Sequence, residues 1–376
     1  MGGHLWAFSN ELVDIPKDLP AGTIVTLVRE RDDSPIGHGF FHPHSLIAFR
    51  SLTQNINEVV DEAFFERRIR ASASRRELLL KRRNAVRLIH GESDLLPGLI
   101  VDKFGDIISY QIVSAGFEVR KDIMIDILKR TFEPTAIVEK NNSHLRKREE
   151  LPLGESIIYG SDTRTEIHDA AGTRYSVDVL SGQKTGFFLD QMDNRTRLRD
   201  FVPFGARVLD LFANDGGFGL NAALAGATSV IAVDESRSAL ERIHKNAELN
   251  GIADQISTVE ADCFQYLREA KDEMDVIIVD PPALAKSKKD IPQARKGYLT
   301  LNTNAMRLVK SGGILITCSC SHHLSYENLL EVVQEAARRS QRTVTLLERR
   351  GAGIDHPILT AMPETEYLKV LILGVL

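Results

Sequence analysis

Apolar and polar positions alternate along this chain with two different periods, and the period changes along its length. Over the first 55 or so residues short apolar segments are broken by Gly, Pro and Asp turns, as in GTIVTLVRERDDSPIGHGFFHPHSLIAFRSL, which predicts a small β-rich unit. Residues 57–87 then take helical spacing, with Val60, Phe64, Phe65 and Ile69 followed by Leu78, Leu79 and Leu80. LPGLIVDKFGDIISYQIVS reads as strand, FEVRKDIMIDILKRTF as helix and TAIVEKN as strand, before a turn-rich stretch to about residue 165. From about residue 166 the alternation becomes regular. ARVLDLF (206–212), SVIAVD (229–234), STVEADC, MDVIIVD and GGILITCSCS are apolar strands with helical stretches between them, and EYLKVLILGVL is a terminal strand able to return in the opposite direction. Strands buried on both faces and separated by helices imply a mostly parallel sheet covered on both sides. The fold class expected is α/β in three parts: a β-rich domain over 1–56, a small central α/β domain over 57–165 and a large α/β domain over 166–376.

Composition narrows the setting. No apolar run reaches 18 residues, so a membrane span is not expected. The opening MGGHLWAFSNELVD lacks the basic and apolar regions of a secretory signal. Cysteines occur only at 263, 318 and 320, which fits a reducing cytoplasm and completes no structural zinc site, so no metal is expected. A net charge of -5 argues against nucleic acid, yet its distribution argues the other way. Between Arg67 and Arg87 nine Lys or Arg residues face the single acid Glu77, and Arg146, Lys147 and Arg148 form a second group. Such runs are either solvated helix faces or contacts that position a polynucleotide by its phosphates.

The candidate chemistry lies at the strand ends of the large domain. Asp210 closes the first strand, and Phe212 leads into ANDGGFG, where Gly216 and Gly217 let the backbone pass close to a ligand. Asp234 closes the second strand and can accept hydrogen bonds from both hydroxyls of a ribose. The turn lacks the full G-x-G-x-x-G fingerprint, and Asp210 would repel a diphosphate. The same charge suits a ligand carrying an amino group and a sulfonium. Asp262, after the third strand, is placed to meet an adenine amino group or the adjacent ribose. Each acid read singly is as well explained as a helix cap or turn residue; their recurrence at successive strand ends is what points to a ligand crevice. Asp280 follows the fourth strand and is fixed in direction by Pro281 and Pro282. Ala283 stands where an aromatic residue supports methylation of exocyclic amines, so an amine target loses support. Cys318 lies two residues back from the tip of the fifth strand and reads as a small buried hydrophobe. Cys320 lies at the tip, where a thiolate can act as a covalent nucleophile.

These residues carry a family likeness. The chain resembles the RlmI-type 23S ribosomal RNA cytosine-5 methyltransferases through HLWAFSNE (4–11), GESDLLPGLIVDKFGD (91–106), GQKTGFFLDQMDNR (182–195), VLDLFANDGGFG (208–219), DVIIVDPPALAKSK (275–288), GGILITCSCS (312–321) and DHPI (355–358), in family order. GQKTGFFLDQ is distinctive, whereas the glycine turn is generic. The resemblance implies an N-terminal PUA domain, a small central domain and a C-terminal class I methyltransferase (Rossmann-like) domain using S-adenosyl-L-methionine. Cofactor contacts then fall to Asp210, Phe212, Gly216, Gly217, Asp234, Asp262 and Asp280, and the nucleophile to Cys320 with Asp280 beside it. Carbon 5 of cytosine is too weakly nucleophilic to attack a methyl sulfonium unaided, and thiolate addition at carbon 6 makes it enamine-like. Partners implied are 23S ribosomal RNA or its large-subunit precursor, with no membrane and with oligomeric state left open. The PUA-like part is short at its start, and Ala283 replaces the second cysteine that many cytosine-5 RNA methyltransferases carry. Two alternatives stay open: a guanine methyltransferase acting on ribosomal RNA, and a weakly active RNA-binding assembly protein.

Overall fold

A computed structural model describes residues 3–285 and 287–376; Met1, Gly2 and Lys286, the last within DVIIVDPPALAKSK, lie outside the described residues. Two compact units divide the chain, the first made of residues up to 167 with 177–189 and 355–365, the second of 168–176, 190–354 and 366–376.

In the first unit β1 (Trp6–Phe8), β2 (Ile24–Val28), β3 (Pro35–Phe41) and β4 (Ile47–Thr53) pair antiparallel in the order β1-β4-β3-β2. Asp61 starts α1 (Glu62–Ser74) by accepting the Phe64 N–H at 2.9 Å, and α2 (Glu77–Leu80) follows. A second sheet runs β5-β6-β7-β8-β9, from β5 (Ala85–His90), β6 (Leu99–Phe104), β7 (Ile107–Ile112), β8 (Ala136–Asn141) and β9 (Gly154–Tyr159). Between β7 and β8, which pair parallel, α3 (Ala115–Glu118) and α4 (Lys121–Phe132) supply the crossover that parallel pairing requires. Phe40 packs its ring 5.0 Å from Phe117 and 6.2 Å from Phe65. A Cβ on Gly116 would fall 2.0 Å from the Phe40 ring, so only glycine admits that contact.

The helical reading of 57–87 runs too far, because AVRLIH joins a strand rather than continuing the helix. Three of the nine basic residues it contains are internal. Arg76, Arg83 and Arg87 are 2%, 1% and 7% exposed. The Arg76 guanidinium forks onto Asp94 at 2.8 and 2.7 Å and donates to the Asp355 carbonyl at 2.9 Å. Arg87 forks onto Asp102, both bonds at 2.9 Å, and Arg83 meets the Asp355 carboxylate at 2.8 Å. Burial works against the ionised Asp355, but His356 and Arg83 hold its carboxyl well below the usual range. In the second basic group Arg146 is buried against Glu118 at 2.9 Å. The expected phosphate stripe is therefore reduced to exposed residues such as Arg67, Arg70, Arg75, Lys81 and Arg82, of which Arg67, Arg70 and Arg75 already face acids.

A two-stranded hairpin, β10 (Arg164–His168) and β11 (Arg174–Asp178), lies where the chain passes between the units. The second unit opens with α5 (Met192–Leu198) and continues β12 (Arg207–Leu211), α6 (Gly217–Leu224), β13 (Ser229–Asp234), α7 (Arg237–Leu249), β14 (Ile256–Glu260), α8 (Cys263–Glu269), β15 (Met274–Val279), α9 (Ile291–Leu308), β16 (Val309–Ser319), α10 (Tyr326–Ser340), β17 (Val344–Arg350) and β18 (Lys369–Val375). Its sheet has the order β14-β13-β12-β15-β16-β18-β17. The first five strands pair parallel, and β18 runs antiparallel to both neighbours, as the terminal strand was expected to do. The edge strand β17 was not expected, since VTLLERR keeps Leu346 and Leu347 partly exposed and carries little apolar signal. Leu209, Leu211, Ile277 and Leu315 share a core with α8, α9 and α10, while Val230 and Asp210 face α6 across Gly219. This is the doubly wound α/β arrangement expected, and no helix among the described residues is long and apolar enough to cross a membrane.

Truncating Arg76 to Ala leaves Asp94 buried without its fork and should cost about 3–5 kcal/mol of stability, whereas Arg82→Ala should stay within about 0.5 kcal/mol of the parent. Urea unfolding of both variants checks this; equal losses would contradict the internal ion network.

Candidate active site

The sheet reverses its order between β12 and β15: β13 and β14 lie on one side of β12, β15 and β16 on the other. Open α/β sheets bind ligands at such a point, outside the carboxyl ends of the strands. Here those ends carry, across the sheet, Asp262, Asp234, Asp210, Asp280 and Cys320.

Register sets their depth. Leu211 is level with Val233 and Val279, so the next residues, Phe212, Asp234 and Asp280, emerge at one height. Asp210 lies two residues lower, is 1% exposed, and accepts the Gly219 N–H at 2.8 Å near the start of α6. Burial, with the charges of Asp280 and Asp234, pushes its carboxyl up to about 7 against the opposing pull of Gly219 and Arg195. Its charge thus lies beneath the turn and acts through it.

The turn is built to close tolerances. Phe212 and Asn214 have φ of 60° and 49°, rarely adopted by non-glycine residues, and Gly216 has 77°. A Cβ on Gly217 would stand 2.3 Å from Nε of Arg195, which the sequence reading overlooked. Arg242 of α7 pins the loop by donating to Asp215 at 2.5 Å and to the Asn214 side chain at 2.8 Å. Asp234 accepts from the N–H of Asn214 at 3.0 Å and of Ser236 at 2.9 Å, one on each oxygen, which leaves each oxygen further acceptor capacity. Phe212 meets Phe264 edge-on at 6.2 Å and donates its N–H to Cys263 Sγ at 3.3 Å. Burial pushes the Cys263 thiol up to about 12, leaving it a structural thiol. Asp262 is exposed and caps α8, with one carboxylate oxygen accepting the Gln265 N–H at 2.8 Å.

On the other side of the reversal, a side-chain relay fixes Asp280. Arg350 donates to the side-chain oxygen of Asn194 at 2.8 Å, the Asn194 side-chain NH2 to the Gln191 side-chain oxygen at 2.7 Å, and the Gln191 side-chain NH2 to Asp280 at 3.0 Å. Gln191 and Asn194 belong to GQKTGFFLDQMDNR, and no sequence rule had singled them out. Val279 is level with Thr317, so Cys318 rather than Cys320 is the immediate neighbour of Asp280. Cys318 is fully buried, and burial together with Asp280 pushes its thiol well up. Cys320 stands two residues further out, past the last residue of β16, and is partly exposed. Its loop is anchored at Ser321, whose hydroxyl accepts the Ala285 N–H at 3.2 Å and lies 3.3 Å from the Tyr298 hydroxyl. The loop after Asp280 and the loop after Cys320 are therefore tied together. Among the described residues no cluster of His, Cys, Asp and Glu could hold a metal.

Comparison with known proteins identifies the family. A family model described as S-adenosylmethionine-dependent methyltransferase matches residues 107–364, and one described as a PUA-like domain matches 2–54. Ribosomal RNA large subunit methyltransferase I of Shewanella denitrificans is 38% identical over 377 residues, covering 98% of this chain and 94% of that protein. Its namesake in Aeromonas hydrophila is 37% identical over 378 residues with the same coverage, 98% and 94%. Among solved structures, a Streptococcus mutans protein described as a candidate SAM-dependent methyltransferase superposes with a TM-score of 0.83 at 19% identity, over 99% of this chain and 96% of that one. Another, a candidate methyltransferase complexed with SAH, gives 0.85 at 20% identity with the same coverage, 99% and 96%, a likeness of fold. The chain belongs to the S-adenosylmethionine-dependent methyltransferase family, among the ribosomal RNA large subunit methyltransferase I proteins.

Proposed function

We propose that this protein methylates carbon 5 of a cytosine in 23S ribosomal RNA, or in its large-subunit precursor, through a covalent adduct with Cys320, and that it works in the cytoplasm. The observation that carries the reading is the contrast between two neighbouring thiols: Cys318 is sealed in the core, and Cys320 is partly exposed, two residues beyond Asp280's level. In the division of labour proposed, residues 1–56 anchor RNA, 57–165 form the central domain, and 166–376 hold the methyl donor and the target base.

The crevice fits S-adenosylmethionine. Asp234 has acceptor capacity left for a ribose diol, Gly216 and Gly217 keep the turn clear of side chains, and Phe212 with Phe264 offers an apolar wall. Asp262 has a second carboxylate oxygen to offer an adenine amino group. Asp210 and Asp280 set negative charge at the reversal point, where it favours a cationic ligand. When bound, the donor supplies an electrophilic methyl group on its sulfonium. Cys320 adds through sulfur to carbon 6 of the cytosine, which makes carbon 5 nucleophilic. The negative charge that thiolate addition places on ring nitrogen 3 is taken up by a proton from solvent, held between that nitrogen and the carboxylate of Asp280, which Gln191 orients. After methylation, loss of the carbon-5 proton restores the double bond and expels the thiolate.

Cys320→Ala should abolish methyl transfer to ribosomal RNA while leaving SAH affinity, read by calorimetry, within about twofold of the parent, because the thiol reacts and does not hold the donor. Cys318→Ala should remain active with a modest stability loss. Undiminished transfer by Cys320→Ala would remove the covalent mechanism and favour a guanine target.

Asp234→Ala should weaken SAH binding by about 1–3 kcal/mol, the scale of a lost hydrogen-bond set to a charged group. An unchanged dissociation constant would take the ribose contact away from Asp234.

Asp210 gives a pH signature. Its pKa in the fold, about 7, lies above the ordinary 3.8, so its contribution to stability is fully present below pH 3.8 and is lost as pH rises through 7. Asp210→Asn should therefore raise the melting temperature of the ligand-free protein at pH 8, raise it less at pH 5, and weaken SAH binding at pH 8. A melting difference independent of pH would contradict a desolvated carboxylate at that site.

A further inference from the structure

One buried cation at the site has no part in the chemistry above. Lys369 begins β18 and is 3% exposed. It pairs in register with Ser319, the residue before Cys320, and its ammonium donates to the carbonyl of Ser321, the residue after, at 2.6 Å. A second donor goes to the Tyr367 carbonyl at 2.7 Å. An ammonium has three N–H groups, so one remains beyond these two carbonyls. Neutral carbonyls alone are a poor reason to bury a lysine, because an uncompensated interior charge is costly. Burial pushes Lys369 down to about 8, opposed by negative charge on Cys320 first and Glu366 second. The residue between this lysine's two anchors, Ser319 and Ser321, is Cys320, whose thiolate form would compensate that buried charge.

Resting on the reading of Cys320 as nucleophile, we propose that Lys369 is a positioning residue of the reaction, clasping the chain on both sides of Cys320 and stabilising the thiolate that begins the attack. Other groups in the neighbourhood do not supply that charge. Asp280, one strand away, opposes a thiolate, as its effect on Cys318 and Tyr298 shows. His322 is held neutral to lower pH by burial, Lys369 and His323, and its ring rests 5.4 Å from Tyr367. Buried Tyr298 has its hydroxyl pushed up to about 12 by burial, so it stays protonated. In this role Lys369 transfers no proton: the thiol proton passes to solvent and the ammonium persists.

The test is the pH dependence of iodoacetamide labelling of the full chain, with Cys320 quantified apart from Cys263 and Cys318 by peptide mass spectrometry. In the parent the labelling midpoint of Cys320 should lie below the unperturbed thiol value of about 8.5. Lys369→Met, which keeps the bulk and removes the charge, should raise that midpoint by about one pH unit or more and slow labelling at pH 7 about tenfold, while Lys369→Arg should stay nearer the parent. A merely structural lysine would move the melting temperature of Lys369→Met but not the midpoint. A parent midpoint at or above 8.5 would overturn the proposal even if Lys369→Met failed to fold, and so would an unmoved midpoint in a folded Lys369→Met. Labelling needs neither RNA nor turnover, so failure here is distinct from failure of the covalent reading, which shows itself as an active Cys320→Ala enzyme.

Discussion

At the reversal between β12 and β15, two parallel strands end side by side while their chains leave in different directions. Helix α6 after β12 packs on the face of Asp210, and α9 after β15 packs on the face of Leu209 and Leu211. A gap must therefore open at the strand ends, and backbone groups there have no neighbouring strand to complete them. The rest of the site answers that constraint. Asp210 fills the floor and takes the Gly219 N–H, Asp234 takes those of Asn214 and Ser236, and the glycines let the turn fold over Arg195 without a side chain in the way.

The same constraint separates holding from reacting. On the β13 side the strand-end groups are rigid acceptors, fixed by backbone N–H groups and by Arg242. On the β16 side the groups are a carboxylate, held by Gln191, and a thiol on a loop tied down through Ser321 to Ala285 and Lys369. Asp280 stands between the two halves. It is close enough to Cys318 to disfavour a thiolate there, which under the proposed mechanism leaves the outer thiol as the nucleophile.

How much of this could be read from the sequence depended on the range of each interaction. The strands were legible because each is a short apolar run, and the acids that follow three of them, Asp210, Asp234 and Asp280, were placed at the strand ends by that local signal. Asp262 carried the same signal, and in the structure part of it is spent on capping α8, which a local reading cannot separate from ligand binding. Gln191, Asn194, Arg195 and Lys369 are ordinary polar residues in sequence; their partners lie far along the chain, as with Gln191 and Asp280, 89 residues apart. The basic run misled for the same reason. Its charge count is local, whereas the acid that accepts the Arg87 N–H, Asp355, is 268 residues away. Edge strand β17 escaped because a strand covered on one side only needs few apolar residues.

The central claim is that Cys320 joins carbon 6 of a cytosine while carbon 5 is methylated. Ribosomal RNA substrate carrying 5-fluorocytidine at the target tests it most directly, because fluorine cannot leave as a proton and the adduct persists. Incubated with the protein and S-adenosylmethionine, digested and mapped by mass spectrometry, such RNA should yield one cross-linked peptide, with the methylated fluorocytidine attached at Cys320. Absence of any adduct, under conditions where unmodified RNA is methylated, or attachment at another residue, would contradict the account.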